Sequence, residues 1–147
     1  MKINFTKKEY QALLDMLYVA DWVFHAHSEG KKEETREYRD LEQKILSLAD
    51  EFGMEKYVES NEKTNEKFLS KEFTKENKIV EKIDKFENAT FWEELLERLA
   101  RRDFVRQYGE EAILKMPMSE RFEKEIFFHK KYDEEFIKNG LESLKID

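Results

Sequence analysis

Cysteine is absent from this 147-residue chain, which excludes disulfide bonds, thiolate metal sites and cysteine nucleophiles together. The same absence is compatible with the cytoplasm, which is the location that we expect. Proline occurs once and glycine four times, so few residues would interrupt a helix. Because Glu, Lys and Leu are abundant as well, the composition predicts an all-α protein.

Long apolar runs are also lacking. The chain begins without an apolar run of signal-peptide length, and its most apolar stretch is too short and too interrupted to cross a bilayer. We therefore expect a soluble protein that has no contact with a membrane. A net charge of -7 opposes general binding to nucleic acid, so we expect no nucleic-acid partner.

The residues that are present can build one folded domain. Hydrophobic residues make up 39% of the chain and aromatic residues 14%, which is enough to cover a core although 41% of the residues are charged. No linker or repeat divides the chain. We predict a single helical domain over residues 1–147, a bundle of about five to six helices, with minimal pairing between its two extended ends.

The segment 13–27, with the sequence LLDMLYVADWVFHAH, is the one around which we expect the rest of the bundle to fold. Its apolar residues are interrupted at four positions, Asp15, Asp21, His25 and His27. A helix that is apolar nearly all round must be covered on most sides by other elements. Thr6 and Glu9 have the spacing of a capping box, which predicts the start of this helix, and Gly30 follows its expected end.

Apolar residues at spacings of three and four predict the next helices. We expect a second helix over residues 32–52, capped by Gly53. The apolar pattern then weakens, which indicates short helices around a mobile loop near residues 60–65. Another short helix is predicted after Thr74 and ends near Asn88.

The C-terminal third of the chain is predicted to contain two longer helices. Thr90 with Glu93 repeats the capping-box spacing, so we expect a new helix to begin there and to bend or break near residues 101–103. The last long helix is predicted over residues 120–139, with Ser119 as its N-terminal cap.

Two of these helices carry mirrored pairs of aspartate and histidine. At about 100° per residue, Asp21 and His25 fall within the inward apolar arc of the first helix, and His129 and Asp133 fall within that of the last. Imidazole and carboxylate groups on facing helices can bind a divalent metal, which could activate water for hydrolysis. The favoured interpretation is that each aspartate accepts a hydrogen bond from its histidine in the core.

A basic cluster lies in the helix that follows Thr90. It consists of Arg98, Arg101, Arg102 and Arg106. Guanidinium groups so close together either pair with acidic side chains or gather to hold phosphate. With 34 acidic residues in the chain, pairing is the favoured interpretation.

Two adjacent aromatic residues, Phe127 and Phe128, point off the main apolar arc of the last helix. Aromatic side chains left over after a core is filled mark either a second buried side or a surface for a partner. The chain has no enzyme motif, so we expect a regulator, adaptor or inhibitor that binds a protein partner or self-associates as a homodimer. The expected contacts are Phe127, Phe128, Arg98, Arg102 and Arg106, and the alternative is a metal-binding protein or metal-dependent hydrolase.

Overall fold

The computed structural model describes residues 3–27 and 33–145. Over these residues the chain forms six α-helices and one short hairpin, which confirms the all-α class and the predicted number of helices. The helices are α1 (Lys7–His25), α2 (Arg36–Leu46), α3 (Lys71–Glu76), α4 (Ile79–Tyr108), α5 (Glu110–Lys115) and α6 (Met118–Asn139). The hairpin joins β1 (Val58–Ser60) to β2 (Lys67–Leu69), and three short 3-10 turns lie at Glu33–Thr35, Ala49–Phe52 and Glu55–Tyr57.

The contacts of the backbone divide the chain into two compact units. The first unit is Met1–Asp84 and the second is Lys85–Asp147, so the boundary falls within α4. Each unit has its own cluster of buried apolar side chains. That the 147 residues form one domain stays a prediction.

The start of α1 follows the predicted capping box. The Thr6 hydroxyl accepts a hydrogen bond from the Glu9 backbone N–H at 3.3 Å, and the Glu9 carboxylate accepts one from the Thr6 backbone N–H at 2.8 Å. The hydrogen bond from the Thr6 backbone is the main reason that the pKa of Glu9 is lowered. These two bonds fix the first turn of α1 because they satisfy N–H groups that the helix itself cannot.

Helix α1 supplies two fully buried side chains to the core of the first unit, Tyr10 and Leu14. The Tyr10 ring stacks on the Phe52 ring with 4.1 Å between centroids, and its hydroxyl donates to the Ile45 carbonyl at 2.8 Å. Burial raises the pKa of Tyr10 to about 12. Side chains from four further segments complete this core, namely Leu46, Met54, Phe73 and Ile79.

The opposite side of α1 is exposed over the described residues. Met16 is 68% exposed and Val23 is 62% exposed. The sequence predicted that α1 is covered on most sides, and this expectation is met on one side only. The first unit buries Tyr10 and Leu14, and it leaves a second apolar side of the same helix in contact with solvent.

The segment predicted to form short helices around a loop does so at Glu55–Tyr57 and in α3, and the residues between them form the hairpin, which the sequence did not predict. Asn61 orders the turn, because its side-chain oxygen accepts from the backbone N–H groups of Lys63 and Thr64 at 2.9 and 3.2 Å. Gln43 of α2 holds the hairpin in place, since its amide donates to the Lys67 carbonyl and accepts from the Lys67 N–H, both at 2.7 Å. Local polar side chains therefore decide the structure where the apolar spacing is uninformative.

The second unit consists of the longer part of α4, together with α5 and α6. Its buried core consists of four side chains, Ala100, Phe104, Ile113 and Phe128. The predicted start at Thr90 is wrong, and of the predicted bend or break near residues 101–103 the break is wrong, because α4 is continuous through these residues. Ala100 and Phe104 lie one turn apart on the same side of α4, so the helix can continue while the arginines between them stay outside.

The ends of helices and of the chain differ in part from the predictions. Helix α6 begins at Met118 after Pro117, one residue before the predicted cap Ser119, and it ends as predicted before Gly140, whose φ is 56°. The described residues at the two ends of the chain, 3–5 and 144–145, lie in no strand. The predicted pairing of the ends is therefore not found over these residues.

Candidate functional site

The first Asp/His pair lies at the edge of the first unit rather than in its core. His25 Nδ1 is 2.8 Å from Asp21 Oδ1, and His25 Nε2 is 3.2 Å from Thr35 Oγ1. The Asp21 side chain is 54% exposed and that of His25 is 22% exposed. The predicted Asp–His contact is present, but the prediction that Asp21 points inward is wrong.

The second Asp/His pair is not joined in this way. His129 Nδ1 lies 3.5 Å from Glu97 Oε1 of α4, while Asp133, one turn further along α6, is exposed. The predicted arc of α6 therefore does not face the core as a whole. Phe122 and Ile137, two of the apolar residues from whose spacing that arc was predicted, are exposed as well.

A metal centre is not found among the described residues. Over residues 3–27 and 33–145, no three or more His, Asp or Glu side chains are grouped so that they could hold a metal ion. Asp21 and His25 belong to the first unit, and His129 and Asp133 belong to the second. Each pair by itself offers two ligands, so the metal-dependent hydrolase gains no support from this geometry.

The arginine cluster is paired with acidic side chains, as the composition favoured. Arg98 lies 2.9 Å from Glu94, Arg101 3.5 Å from Glu125, and Arg102 and Arg106 lie 2.9 and 3.8 Å from Asp103. A shallow groove of about 630 Å³ runs beside these arginines. Their use as contacts for a partner stays a prediction.

Asp103 is the centre of a group of polar contacts between α4 and α6. It accepts a hydrogen bond from the Tyr132 hydroxyl, and Arg102 Nε donates to it at 2.9 Å. These hydrogen bonds, with that from Tyr132 the largest cause, lower the pKa of Asp103. Burial first and the contact with Asp103 second raise the pKa of Tyr132. Sequence reasoning missed this contact because residues 29 positions apart show no local pattern.

The two adjacent phenylalanines of α6 have different environments. Phe128 is 5% exposed and packs edge-on against Phe104 with 5.8 Å between ring centroids, so its prediction as a surface contact is wrong. Phe127 is 65% exposed. Its neighbours one turn away on α6 are charged, namely Glu123, Lys124, Lys130 and Lys131. The Phe127 ring contacts the Phe128 ring edge-on, with 5.6 Å between centroids, and its outer face lies on a polar surface.

The exposed side of α1 carries an apolar surface that sequence reasoning did not identify as a site. We define the outer stripe of α1 as Ala12, Met16, Ala20 and Val23, all of which are exposed. At about 100° per residue these four side chains fall within an arc of about 80°, on the side of the helix away from Tyr10 and Leu14. The spacing of the stripe is visible in the sequence, but whether the fold covers it is not.

A groove between α1 and α2 adjoins the outer stripe. Its volume is about 260 Å³, and it shares Met16 and Ala20 with the stripe. The Phe24 and Tyr38 rings pack 4.7 Å apart at one side of it. Most of its lining is apolar and comes from both helices, including Leu13, Leu17, Leu41 and Ile45. The stripe and the groove together form one continuous apolar surface.

The second unit has an apolar groove of its own, near the start of α6. Leu114, Met118 and Phe122 line it together with Arg121 and Glu125, whose charged groups are 3.8 Å apart. This groove is therefore edged by an ion pair. The groove of the first unit is the more apolar of the two.

The comparisons with known proteins add no identification. No family model, curated protein or solved structure matches the chain. Among the helices of the described residues, none is long and apolar enough to span a bilayer.

Proposed function

We propose that this chain acts by binding another protein molecule through the outer stripe of α1, as a regulator, adaptor or inhibitor. One observation carries the proposal: α1 is apolar on two sides, and the described part of the first unit covers one of them. Continuous exposed apolar surface is uncommon on a monomer and typically marks a site of interaction. A helix laid along the stripe would also contact the adjoining groove, which is a common mode of recognition.

The free energy released by burying the side chains of the stripe supports its use as a binding surface. Covering a side chain of the size of Met16 or Val23 contributes roughly 1.5–3 kcal/mol each. Both are more than 60% exposed, so most of that energy is not used within the first unit. The two alanines between and beside them let a partner's backbone approach closely.

The other predicted contact surfaces are weaker candidates. Phe127 stands among charged neighbours, and single exposed apolar residues are normal on protein surfaces. Arg98, Arg102 and Arg106 each contact a carboxylate, so a new ligand would have to replace an existing ion pair. The outer stripe needs no such exchange.

A photo-crosslinking side chain placed at position 16 tests the proposal. The full chain is irradiated in the cytoplasm of the producing cell, the compartment that we propose because the chain has no cysteine to oxidise. The same group at position 127 is the matched control, since Met16 is 68% and Phe127 is 65% exposed.

We expect protein adducts from position 16, and few from position 127, when the products are identified by mass spectrometry. Adducts from position 127 and none from position 16 would indicate that the interaction surface lies on α6 and not on α1. No adduct from either position would contradict the proposed function.

A further inference from the structure

The polar side chains at the two ends of the outer stripe indicate what covers it. Glu9 precedes the stripe and His27 follows it, and both side chains are exposed. They are 27 − 9 = 18 positions apart, which is about five turns of 3.6 residues, so they lie in line with each other. Ala26 keeps the helical conformation at the end of α1, which carries that line on to His27. The stripe therefore has an acid at one end and a base at the other.

We infer that the stripe is covered by a second copy of this chain, with the two α1 helices packed antiparallel across a two-fold axis that passes midway between Met16 and Ala20. This inference rests on the proposed function and names its partner. In the register where residue i lies opposite residue 36 − i, Glu9 lies opposite the partner's His27, and Met16 lies opposite the partner's Ala20. Two-fold symmetry makes each of these contacts twice.

Both complementary features depend on the antiparallel direction. A parallel pair would place Glu9 opposite the partner's Glu9 and Met16 opposite the partner's Met16, which sets like charges and two large side chains against each other. The antiparallel pair sets a large side chain against a small one, as close helix packing requires. It also places a carboxylate opposite an imidazole.

Glu9 can make this contact without giving up its capping box. Both hydrogen bonds from Thr6, from its N–H at 2.8 Å and its hydroxyl at 2.7 Å, go to the same carboxylate oxygen, Oε2. The other oxygen, Oε1, can accept from the partner's His27. Glu9 therefore caps the first turn of α1 and also makes the contact at the edge of the interface.

Helix α2 enlarges the contact on one side of the stripe. Tyr38 and Leu41 are both more than half exposed and line the groove beside α1. Helix α1 has 19 residues and is therefore about 28 Å long. A partner helix laid antiparallel along the stripe lies next to these two side chains, and the symmetry places the partner's α2 in the same way on the other side.

Sedimentation equilibrium of the full chain, from about 1 to about 300 µM, tests the second copy. We expect a reversible monomer–dimer equilibrium whose dissociation constant rises at least about tenfold in Met16→Glu, because a buried charge would then face an apolar side chain. Phe127→Glu, matched in exposure, should leave it unchanged. A wild-type chain that is monomeric throughout overturns the inference, and so does an equal effect of the two substitutions.

The charges at the ends have a test of their own. His27→Glu places two acids opposite each other and should raise the dissociation constant several-fold, while His27→Lys gives a permanent positive charge and should lower it. Equal dissociation constants for these two variants would overturn the assigned register.

Disulfide cross-linking tests the direction of the helices. Because the sequence contains no cysteine, only the introduced cysteines can form a disulfide. Chains with Met16→Cys mixed with chains with Ala20→Cys should form a mixed disulfide readily. Met16→Cys alone should link poorly, because in the antiparallel register its two copies are offset by four residues, about 6 Å along the helix. Efficient linking of Met16→Cys alone would indicate parallel helices and overturn the inference.

Failure of this inference is distinguishable from failure of the proposed function. If the chain is monomeric but position 16 still cross-links to a different protein, the stripe is an interaction site and its partner is not a second copy. If position 16 forms no adduct with any protein, the proposed function is wrong as well.

Discussion

The two units of the chain are held together in different ways. In the first unit, α1 packs with several short elements, and polar side chains fix some of their ends and turns, as Thr6, Asn61 and Ser70 do. In the second unit, long helices pack through a small core, and charged contacts join them at the surface, as in the pair Arg101–Glu125. Short elements need local hydrogen bonds to define them, whereas long helices need mainly a continuous apolar side.

The exposed apolar residues of the two units differ as well. In the first unit Met16 and Val23 follow one helix and adjoin an apolar groove. In the second unit Phe127 stands among charged residues, and the groove near the start of α6 is edged by the ion pair of Arg121 and Glu125. Exposed apolar side chains can therefore mean different things in the two units. Their arrangement, rather than their number, indicates a site for a partner.

The largest expected effect comes from removing a ring from either core. Phe73→Ala and Phe104→Ala each truncate a fully buried side chain, and each should lower the free energy of unfolding by about 3–5 kcal/mol. Because the two cores share no buried residue, we expect Phe104→Ala to accelerate amide hydrogen exchange in α5 and α6 more than in α1. Phe73→Ala should accelerate exchange in α1 more than in α5 and α6. Equal acceleration in both units would contradict the division of the chain into two units.

The polar contact between α4 and α6 should have the next largest effect. Tyr132→Phe removes the hydrogen bond to Asp103 and should cost about 1.5–3 kcal/mol, because the acceptor is charged and mostly buried. Tyr108→Phe is the control, since the Tyr108 hydroxyl contacts the exposed Gln107 at 3.3 Å. Chemical denaturation measures both, and a similar loss in the two variants would remove the special role of Asp103.

The same contact predicts a pH dependence for the second unit. The pKa of Asp103 is lowered in the folded protein from its ordinary value of 3.8, so the unfolded chain binds a proton there more readily. The stabilisation by Asp103 is therefore complete well above that value and is lost as the pH falls below it. We expect the stability difference between the wild type and Tyr132→Phe to shrink below about pH 4. A difference that stays constant down to pH 2 would contradict this cause.

Capping in the first unit should have a smaller effect. Ser70 is buried, its hydroxyl donates to the Lys56 carbonyl at 2.9 Å, and it accepts from the Phe73 N–H at 3.3 Å. Ser70→Ala should cost about 1–2 kcal/mol in thermal or chemical unfolding. Ser47→Ala, which removes an exposed hydroxyl, should change stability by less than about 0.5 kcal/mol, and the comparison fails if the two are equal.

The histidines of the two Asp/His pairs should give the smallest difference. His25→Ala removes contacts to Asp21 at 2.8 Å and Thr35 at 3.2 Å, and it should cost about 1 kcal/mol. His129→Ala removes one contact to exposed Glu97 at 3.5 Å, and its effect should stay below about 0.5 kcal/mol. A larger loss for His129 in thermal unfolding would reverse the ranking.

Much of the fold could be predicted from the sequence where apolar spacing or turn chemistry is strong. The capping box at Thr6 and the helix end at Gly140 follow from residue types alone. The pattern at Thr90 is misleading, because a threonine followed by a glutamate three positions later also fits inside a continuous helix. The hairpin after Tyr57 depends on contacts from Gln43, which local sequence cannot reveal.

The candidate site could be predicted only in part. The sequence indicates that α1 is apolar nearly all round, but it cannot say which side the fold covers. On α6, three adjacent apolar residues at positions 126–128 cover most of the circumference, so the buried one, Phe128, could not be chosen by spacing. Asp21 lies at nearly the same angle around α1 as Tyr10 and Leu14, but it is about two turns beyond Leu14, where its side chain is 54% exposed.

Solvent access to the Met16 methyl group, measured by NMR with a soluble paramagnetic agent at increasing protein concentration, tests the central claim most directly. Met118 is 87% exposed and Met54 is 5% exposed, so they supply the exposed and buried references within the same chain. We predict that the relaxation of Met16 resembles that of Met118 in dilute protein and approaches that of Met54 as the concentration rises. If Met16 follows Met118 at every concentration, no second copy covers α1.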